Sequence, residues 1–266
     1  YSLLDRDFMG EIGRYNNRQN DVISVKQYGD HQKVTYHSSI LRKGYEDDWR
    51  ANSNVVSVPR SKKGSVNDEK LENNISRARS KIQEYGYCND WTYFVTLTID
   101  ANKFDRYDLN AFRDALHNFL HNLNRRRTAD RKIVYLLVPE FHKDGAVHMH
   151  GLMSGLDEKD LIVNQHGYLD WKAYADRFGF ISLDKVREKE KAVNYILKYV
   201  NKDLAVRSTE LGAHLYYCSK GLKKAELLFR DNARWTSSWD YEHPKGYCKI
   251  KMLGASEDYS EYLCPV

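Results

Sequence analysis

Ile133-Val134-Tyr135-Leu136-Leu137-Val138-Pro139-Glu140-Phe141-His142-Lys143-Asp144-Gly145-Ala146-Val147-His148-Met149-His150-Gly151-Leu152-Met153 is the stretch from which the fold is read. Its opening is β-branched, aromatic and leucine-rich, Asp144-Gly145 marks a turn, and an apolar pattern resumes at Val147, so the whole reads as a β-hairpin. Alternate residues of a strand share a face, which brings His148 and His150 together. Register decides what they meet. A two-residue Asp144-Gly145 turn would pair Glu140 with Met149 and turn the carboxylate to the wrong face. A three-residue loop, Lys143-Asp144-Gly145, with glycine in the left-handed region pairs Glu140 with His148 on the histidine face. The longer loop is the favoured register. The site then holds two imidazoles and one carboxylate with open positions, a set that suits Mg²⁺ or Mn²⁺ bound together with a phosphate. His142 has the parity of Glu140 and is a supporting group or an alternative ligand.

Downstream, Ala192-Val193-Asn194-Tyr195-Ile196-Leu197-Lys198-Tyr199-Val200-Asn201-Lys202 repeats a Tyr-x-x-Lys unit. At about 100° per residue, Val193, Ile196, Leu197, Val200 and Leu204 form an apolar stripe, while Tyr195, Tyr199, Lys198, Lys202 and Lys191 gather on the other side. Two phenols held outward among ammonium groups suit attack on a polyanion, or stacking against one. The blander alternative is an amphipathic helix whose tyrosines lie flat on a neighbouring element. The His-x-His pair with its facing Glu weighs against it.

Phe94-Val95-Thr96-Leu97-Thr98, His148-Met149-His150 and Tyr195-Ile196-Leu197-Lys198-Tyr199, in that order, resemble the three motifs of the HUH endonucleases, and more narrowly the rolling-circle replication initiators of phages and plasmids. The tyrosines come after the histidines, as in replication initiators and some two-tyrosine transposases. The resemblance implies a metal site of Glu140, His148 and His150 with Mg²⁺ or Mn²⁺, and Tyr195 and Tyr199 as nucleophiles. It also implies site-specific nicking and strand transfer on single-stranded DNA at a replication origin, an origin hairpin included, through a 5′-phosphotyrosine intermediate. Lys198 and Lys202 would lower the phenol pKa or neutralise phosphate charge. A host helicase and a single-strand binding protein are the implied partners, and a bacterial host's cytosol the implied setting. A two-tyrosine transposase with the same chemistry and a non-catalytic single-stranded DNA binder are the alternatives. Single-tyrosine initiators use Tyr-x-x-Lys, which weights Tyr195 as the initiating nucleophile.

Lys and Arg number 42 against 37 Asp and Glu, a net charge of +5. An excess this small informs only where it clusters. It does so at Arg125, Arg126 and Arg127, and again at Lys220, Lys223 and Lys224, which are the expected DNA contacts. Aromatics reach 13%, with 20 tyrosines and 5 tryptophans to offer unpaired bases. The four cysteines form no Cys-x-x-Cys pair and read as free thiols in a reducing cytosol. No apolar run reaches membrane-spanning length, and no phosphate-cradling glycine loop occurs.

The fold class expected is α+β, a central antiparallel β-sheet flanked by helices in an RRM-like sandwich, with N- and C-terminal extensions. The domains read as an N-terminal extension over 1–85, the endonuclease domain over 86–204 and an accessory C-terminal region over 205–266. Within them, strands are expected at Val22 to Gln27, Lys33 to Tyr36, Tyr93 to Ile99, Phe180 to Leu183, Leu215 to Tyr217 and Tyr247 to Met252. A linker is expected at 61–65, and helices over 67–84, from Asp108, over 170–178 and along the tyrosine segment. The histidine strand should be central.

Overall fold

The computed structural model describes residues 18–41, 68–164 and 167–265; the linker expected at 61–65 lies outside them. In chain order the elements are β1 (Arg18–Tyr28), β2 (His31–Leu41), α1 (Asp68–Cys88), β3 (Tyr93–Thr98), α2 (Leu109–Asn124), β4 (Val134–Phe141), β5 (Val147–Ser154), β6 (Leu161–Val163), β7 (Leu169–Trp171), α3 (Lys172–Arg177), β8 (Ile181–Lys185), α4 (Lys189–Leu197), α5 (Lys202–Glu210), β9 (Tyr217–Cys218), β10 (Glu226–Trp235), β11 (Tyr241–Glu242), β12 (Cys248–Leu253) and β13 (Leu263–Pro265). They fall into two units, one of residues 62–224 and one formed by 1–61 together with 225–266.

The 62–224 unit is the expected α+β sandwich. Its sheet runs β8-β3-β5-β4-β9, antiparallel throughout, with the histidine strand β5 in the middle. Pleating sends Tyr93, Val95, Leu97, Leu137, Met149 and Met153 to one face. There they pack against Leu109, Phe112, Leu116, Phe119 and Leu120 of α2 and against Trp171, Tyr174 and Phe178. Each fully buried side chain of this size contributes about 1.5–3 kcal/mol. The Asp108 side chain caps α2 by accepting from the Ala111 N–H.

The opposite face carries buried Leu136, Val138 and Leu152. Helix α4 lies over β5 and α5 over β4, and α1 covers both helices. Leu71, Ala78 and Ile82 of α1 are buried, as are Val193, Ile196, Val200 and Leu204, so the predicted apolar stripe is the inward side of the tyrosine segment. Helix α1 belongs to this unit, whereas the sequence pattern alone assigns 67–84 to the N-terminal extension. Segment 205–224 belongs to it as well.

Two expected helices are corrected. Residues 170–178 are not one helix: Asp170 and Trp171 sit in β7, paired with β6, and only Lys172–Arg177 is helical. The run Leu161-Ile162-Val163, ending in two β-branched residues, supplies a strand partner that overrides local helix propensity. The tyrosine helix also stops at Leu197. The turn that follows is tightened by i to i+3 bonds from the N–H groups of Lys198, Tyr199 and Val200, and the Asn201 side chain opens α5 by accepting from the Leu204 N–H. Asparagine prefers this capping position to a helix interior.

In the second unit β11-β12-β2-β1-β10-β13 form a six-stranded sheet over a core of Ile23, Val25, Val34, Ala233 and Leu253. The expected strands at 22–27 and 33–36 lie in β1 and β2, and the one expected at 247–252 is β12, which starts one residue later at Cys248. Strand β10 was not expected; its register against β1 shifts between Val25 and Lys26, which breaks the alternation that marks a strand. The described strands β1 and β2 thus share one sheet with strands from after residue 225. Cys88, Cys218, Cys248 and Cys264 are free thiols, and no described helix is long and apolar enough to cross a membrane.

Gly151 follows the histidine pair at the centre of the first sheet. A Cβ there would run into the Leu136 carbonyl oxygen and come within 2.9 Å of Leu137 Cα, both backbone of β4. Gly151→Ala is therefore expected to lower unfolding stability by about 1–3 kcal/mol in denaturant titration, as other overpacked cores do. An unchanged midpoint would contradict the close approach of β4 and β5.

Candidate active site

The β4–β5 ladder pairs Glu140 with His148 and Val138 with His150. Beyond Phe141 and Val147, the His142 N–H donates to the Ala146 carbonyl at 2.8 Å and Gly145 takes φ +89°. The connection is therefore the three-residue loop Lys143-Asp144-Gly145 with a left-handed glycine. Asp144 fixes it, accepting from the Ala146 N–H at 3.0 Å and from Arg106 at 2.7 Å.

On the other flank, β3 sets Thr96 opposite His150 and Thr98 opposite His148. Thr96 Oγ1 lies 3.1 Å from His150 Nδ1, and Thr98 Oγ1 lies 3.5 Å from His148 Nδ1. His150 Nε2 is 2.6 Å from Glu140 Oε2. Burial lowers the His150 pKa and outweighs the neighbouring carboxylate. Burial also pulls His148 down to about 4, helped by His142 and His150 beside it. Both imidazoles are thus neutral, the state in which a ring nitrogen can bind a metal. Neutral His150 fits the contacts as an Nε2–H donor to Glu140 with the Thr96 hydroxyl donating to Nδ1. The other tautomer, donating from Nδ1 to Thr96, would free Nε2 as a ligand.

An unbroken row of rings crosses the site. His142 stacks on His148 at 3.9 Å, and His148 is followed by His150 at 6.4 Å. The Tyr199 ring lies on His150 at 4.0 Å with 6° between planes, then Tyr195 stands edge-on to Tyr199 at 5.6 Å and to Phe94 at 5.4 Å. The Tyr199 hydroxyl donates to the Tyr195 oxygen at 3.2 Å. Burial, that hydrogen bond and the charge of Glu140 push the Tyr199 pKa well above the usual phenol range. Tyr195 is 45% exposed, and the Lys198 ammonium sits 5.1 Å from its ring centroid.

Glu140, His142, His148, His150, Tyr195, Lys198 and Tyr199 therefore meet on one sheet face. Lys202 is directed elsewhere, pairing with Asp68 at 3.0 Å at the start of α1. Among the described residues no three His, Cys, Asp or Glu side chains stand as a ready-made metal cage. The Glu140 carboxylate is bonded to His150, and His148 is stacked under His142. The donor set still fits a divalent ion chemically, with two neutral imidazoles and one carboxylate side by side and threonine oxygens behind both rings. Phe94, Thr96 and Thr98 were read as a strand and as the first motif of the resemblance, without a contact to the site; the parity that makes both threonines face His148 and His150 was already in the sequence.

The expected DNA contacts divide. Arg125 and Arg126 are exposed, as are Lys220, Lys223 and Lys224. Arg127 is not available: its guanidinium donates to the carbonyls of Gly155 and Arg131 and to Asp157 at 2.8 Å. It pins the segment after β5 to the end of α2. All three arginines follow α2, on the face away from the histidines. Arg127→Gln is expected to lower the denaturation midpoint while leaving the salt dependence of DNA binding unchanged. A flatter salt dependence with unchanged stability would return Arg127 to the DNA-contacting set.

Residues 92–204 match a family model of replication-associated proteins, the ORF2 type, over a span that begins just before β3 and closes within α5. No curated protein and no solved structure gives a significant match. The matched span holds the histidine hairpin, the threonine strand and both tyrosines, and over it the chain is similar to replication-associated proteins.

Proposed function

We propose that this protein is a metal-dependent, site-specific single-stranded DNA endonuclease and strand transferase that starts rolling-circle replication. The observation that carries the reading is the hydrogen bond from the Tyr199 hydroxyl to the Tyr195 oxygen, made while Tyr199 lies on His150. It holds one exposed phenol oxygen as an acceptor, one ring away from the histidine and carboxylate cluster. A divalent ion, Mg²⁺ or Mn²⁺, held by Glu140, His148 and His150 would supply positive charge to the scissile phosphate.

Tyr195 is the initiating nucleophile in this reading. Its oxygen forms a bond to phosphorus as the bond from phosphorus to the 3′ oxygen breaks, giving a 5′-phosphotyrosyl enzyme and a 3′-hydroxyl that can prime synthesis. Tyr199 and Lys198 stabilise the developing phenolate, one by hydrogen bonding and one by charge. Thr96 and Thr98 hold the imidazole planes. Tyr199 serves second, resolving the junction after a round of copying. Lys202, engaged with Asp68, acts at most on flanking phosphate charge. A host helicase and a single-strand binding protein would present the origin strand. The two-tyrosine transposase shares this chemistry, and the replication-associated family match favours the initiator.

The test is covalent capture on a pool of single-stranded oligonucleotides. With Mg²⁺ or Mn²⁺ the protein should form a DNA adduct, and excess chelator should abolish it while leaving most DNA binding, which rests on basic and aromatic contacts. Tyr195→Phe should lose the adduct with fold and affinity intact, whereas Tyr199→Phe should still nick but transfer strands poorly. An adduct formed by the double variant, or none formed by the unaltered protein with either metal, would overturn the reading.

A further inference from the structure

Helix α2 carries Arg113, His117 and His121 at successive steps of four residues, and Arg125 follows at its C-terminal cap one step further on. Each step advances about 6 Å along the helix, so the four form one stripe. The rings of His117 and His121 lie nearly parallel, 6.2 Å apart at 21°. Beside the stripe runs a cavity of ≈ 280 Å³ whose lining includes His117, His121, Arg125, Lys132, Tyr135 and Lys220. Through His117 and Tyr135 it meets a second, of ≈ 290 Å³, reaching Arg113 and Tyr217. Two of the basic stretches singled out in the sequence, at 125 and at 220, thus converge on one groove.

The walls are fixed. The Asn124 side chain donates to the Ile133 carbonyl at 2.9 Å and accepts from its N–H at 2.8 Å. Ser219 accepts from the Tyr135 N–H through Oγ at 2.9 Å, and its own N–H donates to the Tyr135 carbonyl at 3.0 Å. Arg125, Lys132 and Lys220 form no ion pair with a described residue. Asp114, the one acidic side chain lining either cavity, is held by Arg113 at 2.8 Å. The groove is separate from the tyrosine site, because α2 packs on the Leu137 and Met149 face of the sheet and His148 and His150 point from the other.

We infer that this groove binds the phosphodiester backbone of single-stranded DNA outside the cleavage site. Three unpaired cations, Arg125, Lys132 and Lys220, grouped beside the Tyr135 and Tyr217 rings match a chain of phosphates with bases to stack, better than an acidic polypeptide without bases. The inference rests on the reading of this chain as a DNA-acting protein but does not need it to nick. The probe is dT30, whose binding is followed by fluorescence anisotropy across a salt series. The triple variant Arg125→Gln, Lys132→Gln, Lys220→Gln should flatten the plot of log affinity against log salt by about two, at about 0.7 for each single-strand phosphate left without its cation. With a 5-iodouracil-containing oligonucleotide, the unaltered protein should crosslink within 117–135 or 216–220, a readout independent of the variant's folding. An unchanged slope in the folded variant, or crosslinks confined to the tyrosine face, overturns the inference. So does polyglutamate of matched charge binding as tightly as dT30, which would point to an acidic protein segment. Loss of covalent capture with the slope change retained would sink the nicking reading alone.

Discussion

The contact from His150 Nε2 to Glu140 Oε2, 2.6 Å across β4 and β5, is the constraint on which the site depends. It exists only in one hairpin register. A slip of one residue would send Glu140 to the α2 face, where Leu137 and Met149 pack, and leave the imidazoles without a carboxylate. That register is fixed locally by Gly145 in the left-handed region and by Asp144 held to Ala146 and Arg106. Further away it is fixed by the pleat itself, since the alternate residues of both strands fill a closely packed core. The chemistry of one face and the packing of the other are the same alternation read twice.

Helix α4 completes the site by a different logic. Its apolar stripe is buried between β5 and α1, which turns Tyr195 and Lys198 outward. The break at Asn201 then matters, because Tyr199 belongs to the turn after the helix. There its ring lies flat on His150 and its hydroxyl reaches Tyr195. The two phenols are therefore unequal: one is a covered donor and the other an exposed acceptor. A continuous helix would have presented them as near equivalents on one face.

Much of this was legible in the sequence. The hairpin, its loop and the Glu140–His148 pairing followed from parity and one glycine, and the α2 stripe followed from periodicity and the Asp108 cap. What escaped had specific causes. The end of the tyrosine helix was signalled by Asn201, whose capping preference was outweighed by the continuing Val193 to Leu204 periodicity. Arg127 read as one of a basic run because its partners, Gly155 and Asp157, are distant in sequence and meet it only in the fold. Strand β10 escaped because it pairs with β1 across nearly the whole chain and carries a register shift. Such pairing leaves no local pattern to read.

The central claim, that the sheet face around His150 presents Tyr195 rather than Tyr199 for the first attack, has a direct readout in the chain's own cleavage sites. Trypsin cutting after Lys191, Lys198 and Lys202 separates the two tyrosines, Tyr195 into Ala192–Lys198 and Tyr199 into Tyr199–Lys202. Mass spectrometry of the DNA adduct trapped in the first turnover should find the nucleotide mass on Ala192–Lys198. Finding it on Tyr199–Lys202 instead would contradict the assignment of roles drawn from the Tyr199–Tyr195 hydrogen bond.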